Sequence, residues 1–339
     1  MNKNEITFVV QGAVAKEQTV EVLKSIREHF KESQIILSTW ENTNIDFDEN
    51  LYDEVLFNKD PKNFPCDKVT KIMNNVDRQV VSTYNGLKAC KTKYAVKIRT
   101  DFKITGDDFL KYFDVFDKFE EEYRIVNKRI LACTNATRNP RNNFFAKYPF
   151  HISDFAFFGL TEDLLNLFSA PLTPEEDKSY FEIHKDLPNI YNSLCRFVPE
   201  QWITTSFLKR NGKKINCEYY CDFSEENSKL TELYIANNFV LLSLEQFNLD
   251  PFKKQFLTKN NKFYLQTCFT HYDFLKMYKK YCDNNYKLSL INYEKFTFFY
   301  IKPQIKKFVI KPILKPIINI ICMFIKNRDL KHKIRNIYN

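Results

Sequence analysis

The sequence predicts an α/β fold, with a mostly parallel central sheet flanked by helices. Three observations lead there. Short, continuously apolar runs alternate with segments of helical periodicity through the first hundred residues. The runs lack polar alternation, which marks strands covered on both faces. Each run ends on a polar or glycine-bearing turn, as strands of a parallel sheet do where ligands gather.

Taken in order, Ile6–Val10 (ITFVV) is a buried strand ending at Gln11-Gly12, and Lys16–Phe30 sets Thr19, Leu23, Ile26 and Phe30 at helical spacing. Ile35–Ser38 is a second strand, followed by Thr39-Trp40-Glu41. Glu54–Phe57 is a third, ending at Asn58-Lys59. Strand, helix, strand in this order predicts right-handed parallel crossovers. Val69–Ala89 reads as a long helix whose stripe is Val69, Ile72, Met73, Val76, Val80, Tyr84 and Leu87. Tyr94–Ile98 is a strand that closes on Asp101.

Phe109–Phe119 reads as a helix, Arg129–Cys133 as a strand, and Thr134–Pro149 as a long polar loop. His151–Gly159 enters an apolar strand with Asp154 at its mouth, and Thr161-Glu162-Asp163 begins a helix with a threonine cap. Pro199 opens a helix that runs to about Lys209 and stops at Asn211-Gly212. Beyond Ile215 come short aromatic runs and small helices, among them Tyr272–Tyr281. Residues 1–285 are expected to form one domain, with residues 286–339 as a basic helical C-terminal appendage.

Composition excludes several functions. Five glycines, with neither GxGxxG nor GxxxxGK[ST], remove the dinucleotide and Walker-type readings. Nine cysteines contain no CxxC and no zinc-ligand spacing, so reduced thiols in a cytosolic protein are expected. The N-terminus enters a strand without a signal-peptide pattern. The net charge of +9 falls entirely in residues 299–339, which carry ten Lys or Arg against Asp329 alone. The body is therefore neutral, and a nucleic-acid partner is not expected. The longest uncharged apolar run of the tail, Ile317–Ile325, has nine residues. A bilayer span takes about 20, so the tail reads as a basic amphipathic segment lying on an anionic membrane surface. A helix packed on the domain with a solvated basic face is the other reading.

The run NNVDRQVVSTYNGL, with Arg78-Gln79 near its start and Gly86-Leu87 near its end, leads into KIRTD. It resembles the nucleotide-sugar half of GT-A-fold glycosyltransferases, whose helix and strand close on an Asp-x-Asp motif. More narrowly, VVQGAV, ILSTWE, KIRTD, HISDFAFFG and PEQW, over residues 6 to about 205, are similar to the WavE lipopolysaccharide-synthesis family. The resemblance implies a GT-A-like (Rossmann-like) domain, with a nucleotide-sugar half at about 1–133 and an acceptor half at about 134–285. It implies a bacterial transferase that moves a sugar from a nucleotide-sugar donor to a lipid-linked lipopolysaccharide or capsule glycan. The protein would sit in the cytoplasm, peripheral on the inner face of the membrane. Transfer of a phosphorylated group such as glycerol phosphate from a CDP-type donor is an alternative, and a non-catalytic assembly partner is another.

Aligned on that motif, Asp101 takes the second acidic position, where it would meet the donor's ribose-phosphate or a divalent cation, Mg²⁺ or Mn²⁺. Arg99 occupies the first. An arginine there repels a cation but grips phosphate, so metal dependence stays open, as does a plain Arg99–Asp101 ion pair. Lys97 shares their face of the strand. Donor contacts are further expected from Gln11, Gly12, Thr39, Trp40 and Glu41 at two strand tips, with a core reading open for Trp40, and from Asn75, Arg78 and Gln79 on the preceding helix, with a solvated helix face open for Arg78. Asp154 and Glu200 are the two candidates for a carboxylate base, and His151 stands beside them with a structural reading open.

Overall fold

The computed structural model describes residues 1–288, apart from 68, 71, 142–146 and 257–266, together with Pro316. The chain divides into two compact units, Met1–Tyr286 and Lys287–Asn339; the elements below belong to the first. The membrane-surface reading of the tail falls outside the described residues. Among the described residues, no helix is long and apolar enough to cross a membrane.

Eleven strands are described: β1 (Ile6–Gln11), β2 (Gln34–Trp40), β3 (Glu54–Asn58), β4 (Phe64–Pro65), β5 (Met73–Asn74), β6 (Tyr94–Arg99), β7 (Phe102–Ile104), β8 (Ile130–Cys133), β9 (Ala156–Leu160), β10 (Phe239–Leu242) and β11 (Leu249–Pro251). The helices are α1 (Lys16–His29), α2 (Val76–Ala89), α3 (Thr161–Phe168), α4 (Glu175–Lys178), α5 (Tyr180–Ile183), α6 (Pro199–Arg210), α7 (Glu225–Asn238) and α8 (His271–Tyr281).

Seven strands form the central sheet in the order β10-β8-β9-β6-β1-β2-β3. All neighbours run parallel except β9, which is antiparallel to both β6 and β8. That agrees with the expected mostly parallel sheet flanked by helices. The reversal of β9 decides where the site sits. A reversed strand begins where its parallel neighbours end, so the chain before Ala156 lies on the same rim as the end of β6.

The apolar runs are strands because both of their faces are covered. Phe8, Val9, Val10, Ile35, Ile36, Leu37, Val96 and Ile98 are all fully buried. The expected stripe of Thr19, Leu23, Ile26 and Phe30 is buried, and Val22 on α1 is buried with it. In α2, Gly86 lets the helix lie close against the sheet. A Cβ there would stand 2.3 Å from Val9 Cγ1 and 3.3 Å from Ser38 Cβ. Gly86→Ala should therefore destabilise the body by about 1–3 kcal/mol, through overpacking of a buried strand. Urea unfolding would measure it; an unchanged midpoint would refute the close approach.

Several expectations need correction. The long helix starts at Val76, not Val69. Asn74 Oδ1 accepts from Val76 N at 2.9 Å, and β5 pairs back on β4, so the residues before it form a hairpin. The apolar residues Val69, Ile72 and Met73 consequently lie exposed. Only a 3-10 turn, Asp108–Tyr112, forms within the expected helix 109–119. Thr161 does not cap α3; its hydroxyl donates to the Thr92 carbonyl at 2.9 Å. Among the described residues, the loop after β8 is largely buried rather than a solvated polar excursion. Thr137 Oγ1 donates to the Cys133 carbonyl at 2.6 Å and accepts from Ser153 N at 2.9 Å.

Candidate active site

Strand register brings three tips abreast. Gln11 pairs with Ser38 on one side and Arg99 on the other. Gly12, at φ 120°, turns the chain off β1 in a conformation that favours glycine, and a Cβ there would stand 3.5 Å from Thr100 Oγ1. Thr100 Oγ1 in turn donates to the Ala13 carbonyl at 2.9 Å, which fixes the two tips together. Gln11 is buried with its amide oxygen accepting from Ser82 at 2.8 Å, and Thr39 is buried inside β2. These two side chains support the rim from beneath. Trp40 and Glu41 follow at the surface, Trp40 half-buried and Glu41 exposed.

The centre of the rim is a chain of charges. Arg99 holds Asp101 with two hydrogen bonds, Nε to Oδ1 and Nη2 to Oδ2, both 2.9 Å. Its Nη1 lies 3.6 Å from Asp154 Oδ2, close enough for an ion pair and too long for a hydrogen bond. Phe102 and Phe155 stack near the guanidinium at 5.6 Å, with Phe256 at 6.0 Å. Burial pulls the Arg99 pKa down, but Asp154, Asp101 and Glu200 outweigh it and hold the guanidinium more firmly protonated than usual. Glu200, in the first turn of α6, is also shifted upward, which for a carboxyl favours the neutral form. Burial, and then the neighbouring Asp154 charge, push its carboxyl up to about 7.

His151 Nε2 faces Glu200 Oε2 at 3.6 Å. Burial and the Arg138 charge hold the His151 pKa well below its ordinary value, so the imidazole is neutral and the contact is not a salt bridge. Its Nδ1 meets no hydrogen-bond partner among the described residues. Lys97 is fully buried and donates through Nζ to the Asp154 carbonyl. Burial lowers its pKa to about 8, with Asp154 opposing. It therefore braces the backbone that presents Asp154, and does not line the rim beside Arg99 as expected.

A second group lies at the tips of β2 and β3. Arg78 grips Asp60 through Nε–Oδ1 at 2.8 Å and Nη2–Oδ2 at 2.6 Å, and its guanidinium stands 6.0 Å from the Trp40 ring. The hydrogen bond from Arg78 draws the Asp60 carboxyl down to about 2. Asn75 is exposed at the helix start, and Gln79 has a buried Oε1 without a partner among the described residues.

Three participants escaped the sequence reading. Asp60 follows β3 by two residues and carries no motif. Lys253 reaches Asp101, Nζ to Oδ2 at 3.7 Å, because β11 pairs with β7 and Phe252 N donates to the Asp101 carbonyl at 3.2 Å. Arg138 comes from the loop after β8, its backbone N donating to the His151 carbonyl at 3.0 Å. Lys253 is far from Asp101 in the chain, and Arg138 meets His151 from a different segment, so no local signal marks them; only the polar character of the 134–149 loop pointed toward Arg138.

The residues do not fit a divalent cation at Asp101. Both of its oxygens accept from Arg99, and Lys253 is its next charged neighbour. Among the described residues, no three or more His, Cys, Asp or Glu side chains are grouped to hold a metal ion. A cation would have to displace a bidentate guanidinium, the strongest class of carboxylate contact. A cavity of about 180 Å³ lined by Phe116, Phe119, Arg124 and Arg129 lies at the start of β8, the end of the sheet away from these tips.

No curated protein matches the chain. The family model described as WavE lipopolysaccharide synthesis matches residues 6–311, a span that runs through every element of the rim, from Gln11 to Lys253. With the sheet, the tips and the acid–arginine chain all inside that span, the chain belongs to the WavE lipopolysaccharide-synthesis family.

Proposed function

We propose that the protein is a glycosyltransferase that moves a sugar from a nucleotide-sugar donor to a lipopolysaccharide or capsule acceptor, with Glu200 as general base. The observation that carries this is the Glu200 carboxyl raised to about 7, beside Asp154 and the neutral His151. A base titrating near working pH is the tuning that proton abstraction requires. Asp154 is engaged by Arg99, which leaves Glu200 as the better of the two carboxylates for this role.

In the reaction, Glu200 takes the proton of an acceptor hydroxyl as its oxygen attacks the anomeric carbon. The glycosidic C–O bond breaks and the nucleoside diphosphate leaves with the electron pair. The open turn at Gly12 admits the diphosphate, and Arg99 Nη1 and Lys253 supply positive charge where the leaving group gains negative charge. Trp40, Glu41 and Arg78 lie further along the rim, at a place suited to the base and ribose. No step passes through a metal.

Thermal shift with UDP, GDP, CDP and CMP tests the donor site. One nucleoside diphosphate at 100 times its Kd should stabilise by about 2.7 kcal/mol, with the same shift in EDTA as in Mn²⁺. No shift with any nucleotide would sink the transferase reading, and a shift or turnover that needs Mn²⁺ would sink the cation-free site. A shift specific to CDP and CMP would instead favour transfer of a phosphorylated group. Binding without turnover would favour an assembly role, for which the pairing of Arg99 with two carboxylates is the supporting observation.

A further inference from the structure

We propose that a ribbon of tyrosines running outward from Glu200 is the platform on which a pyranose ring of the acceptor glycan lies; the acceptor assignment rests on the transferase reading above. The ribbon starts at His151, 3.6 Å from Glu200. His151 stacks on Tyr148, with ring centroids 5.5 Å apart and planes at 28°. Tyr148 meets Tyr220 at 5.6 Å and Tyr191 at 6.2 Å.

Burial grades along this line. His151 and Tyr220 are buried, Tyr148 is half-buried, and Tyr191 is 41% exposed. The inner members are ordinary core. Tyr220 packs with Tyr180, Phe181 and Cys221, and its hydroxyl donates to Asn189 Oδ1 and accepts from Tyr191 N, both at 3.0 Å. That bond fixes the backbone presenting Tyr191.

The outer members are different. Tyr148 and Tyr191 are partly open to solvent, and the His151 Nδ1 and Gln201 Oε1 atoms next in line are buried without partners among the described residues. Large aromatic faces with unspent polar atoms at their edges match one ligand class well. A pyranose has an apolar C–H face that rests on a ring, and a hydroxyl rim that needs donors and acceptors. The ribbon also begins at the group that would deprotonate an acceptor hydroxyl. It therefore belongs to the acceptor and not to the donor nucleotide, whose tips are Gly12 and Trp40.

Saturation-transfer difference NMR with methyl α-glucoside, methyl β-galactoside and N-acetylglucosamine, each at millimolar concentration, tests this on the full chain. At least one should take up saturation on its ring C–H protons. Tyr191→Ala and Tyr148→Leu should each cut that signal at least fivefold, while Tyr281→Phe, on α8 and bonded to Glu232, should leave it intact. Tyr191 is exposed, so its variant tests the idea even if Tyr148→Leu fails to fold. No saturation of any pyranoside, or equal saturation in Tyr191→Ala, would overturn the platform. The nucleotide thermal shift is independent of this result. Nucleotide binding with no pyranoside contact removes only the platform. Tyrosine-dependent pyranoside contact with no nucleotide binding leaves a carbohydrate site and removes the transferase.

Discussion

Replacing Glu200 with Gln should make the protein more stable at pH 8 while abolishing sugar transfer. The sign follows from proton linkage. The folded-state pKa of about 7 lies above the ordinary value of 4.5, so the folded protein holds the proton more tightly than the unfolded chain does. Stability from this group is present below pH 4.5 and is lost as pH rises through about 7. At pH 8 the ionised carboxylate costs on the order of 3–4 kcal/mol, from about 1.4 kcal/mol per pKa unit over the rise from 4.5 to about 7. The amide keeps the shape, removes the charge next to Asp154 and cannot accept the acceptor's proton. Denaturant melts of both proteins at pH 5 and pH 8 would measure it, the gap opening only at the higher pH. In the native enzyme, kcat/KM should rise tenfold per pH unit below about 7 and then level off. A Gln variant no more stable than the native protein at pH 8, or a flat pH profile, would remove Glu200 from the role of base.

Replacing Arg99 with Met should have the largest effect on folding of any rim substitution. It leaves Asp101 and the buried Asp154 without the guanidinium that lies between them. Removing one partner of a buried ion pair costs about 3–5 kcal/mol, because the remaining charge is uncompensated. The lower end applies here, since Lys253 stays 3.7 Å from Asp101. Adding Asp154→Asn to Arg99→Met should recover much of the loss, a non-additive result expected of groups in one network. Transfer should stay lost in the double variant, because the charge facing the leaving group is still missing. Strict additivity of the two stability changes would mean that Arg99 and Asp154 do not act as a pair. Arg99→Lys separates charge from geometry. A single ammonium cannot make the two parallel bonds to Asp101, so turnover should fall well below native even where the protein remains folded.

The sheet was legible from residue order because its signals are local. Short apolar runs such as ITFVV read as strands with both faces covered, and the helical stripe of α1 sits in one window of the chain. The tip residues Gln11, Gly12, Trp40 and Arg99 followed from the same runs. The start of α2 misled because Val69, Ile72 and Met73 continue its apolar period in sequence, whereas Asn74 ends the hairpin and starts the helix. A period reports which residues share a face; it does not report where a capping side chain breaks the backbone.

Sequence by itself therefore determined the α/β class, the family resemblance, and the placing of Arg99 and Asp101 at the end of one strand and Asp154 at the mouth of another. Tertiary structure alone decided how they combine. The reversed β9 places Asp154 opposite the end of β6, the pairing of β11 with β7 delivers Lys253, and the placement of α6 sets Glu200 beside Asp154 and His151. Each of these depends on contacts between residues far apart in the chain. Charge and burial act through space, so Arg99, read first as the odd member of an Asp-x-Asp motif, becomes meaningful only once Asp101 and Asp154 are seen on either side of it.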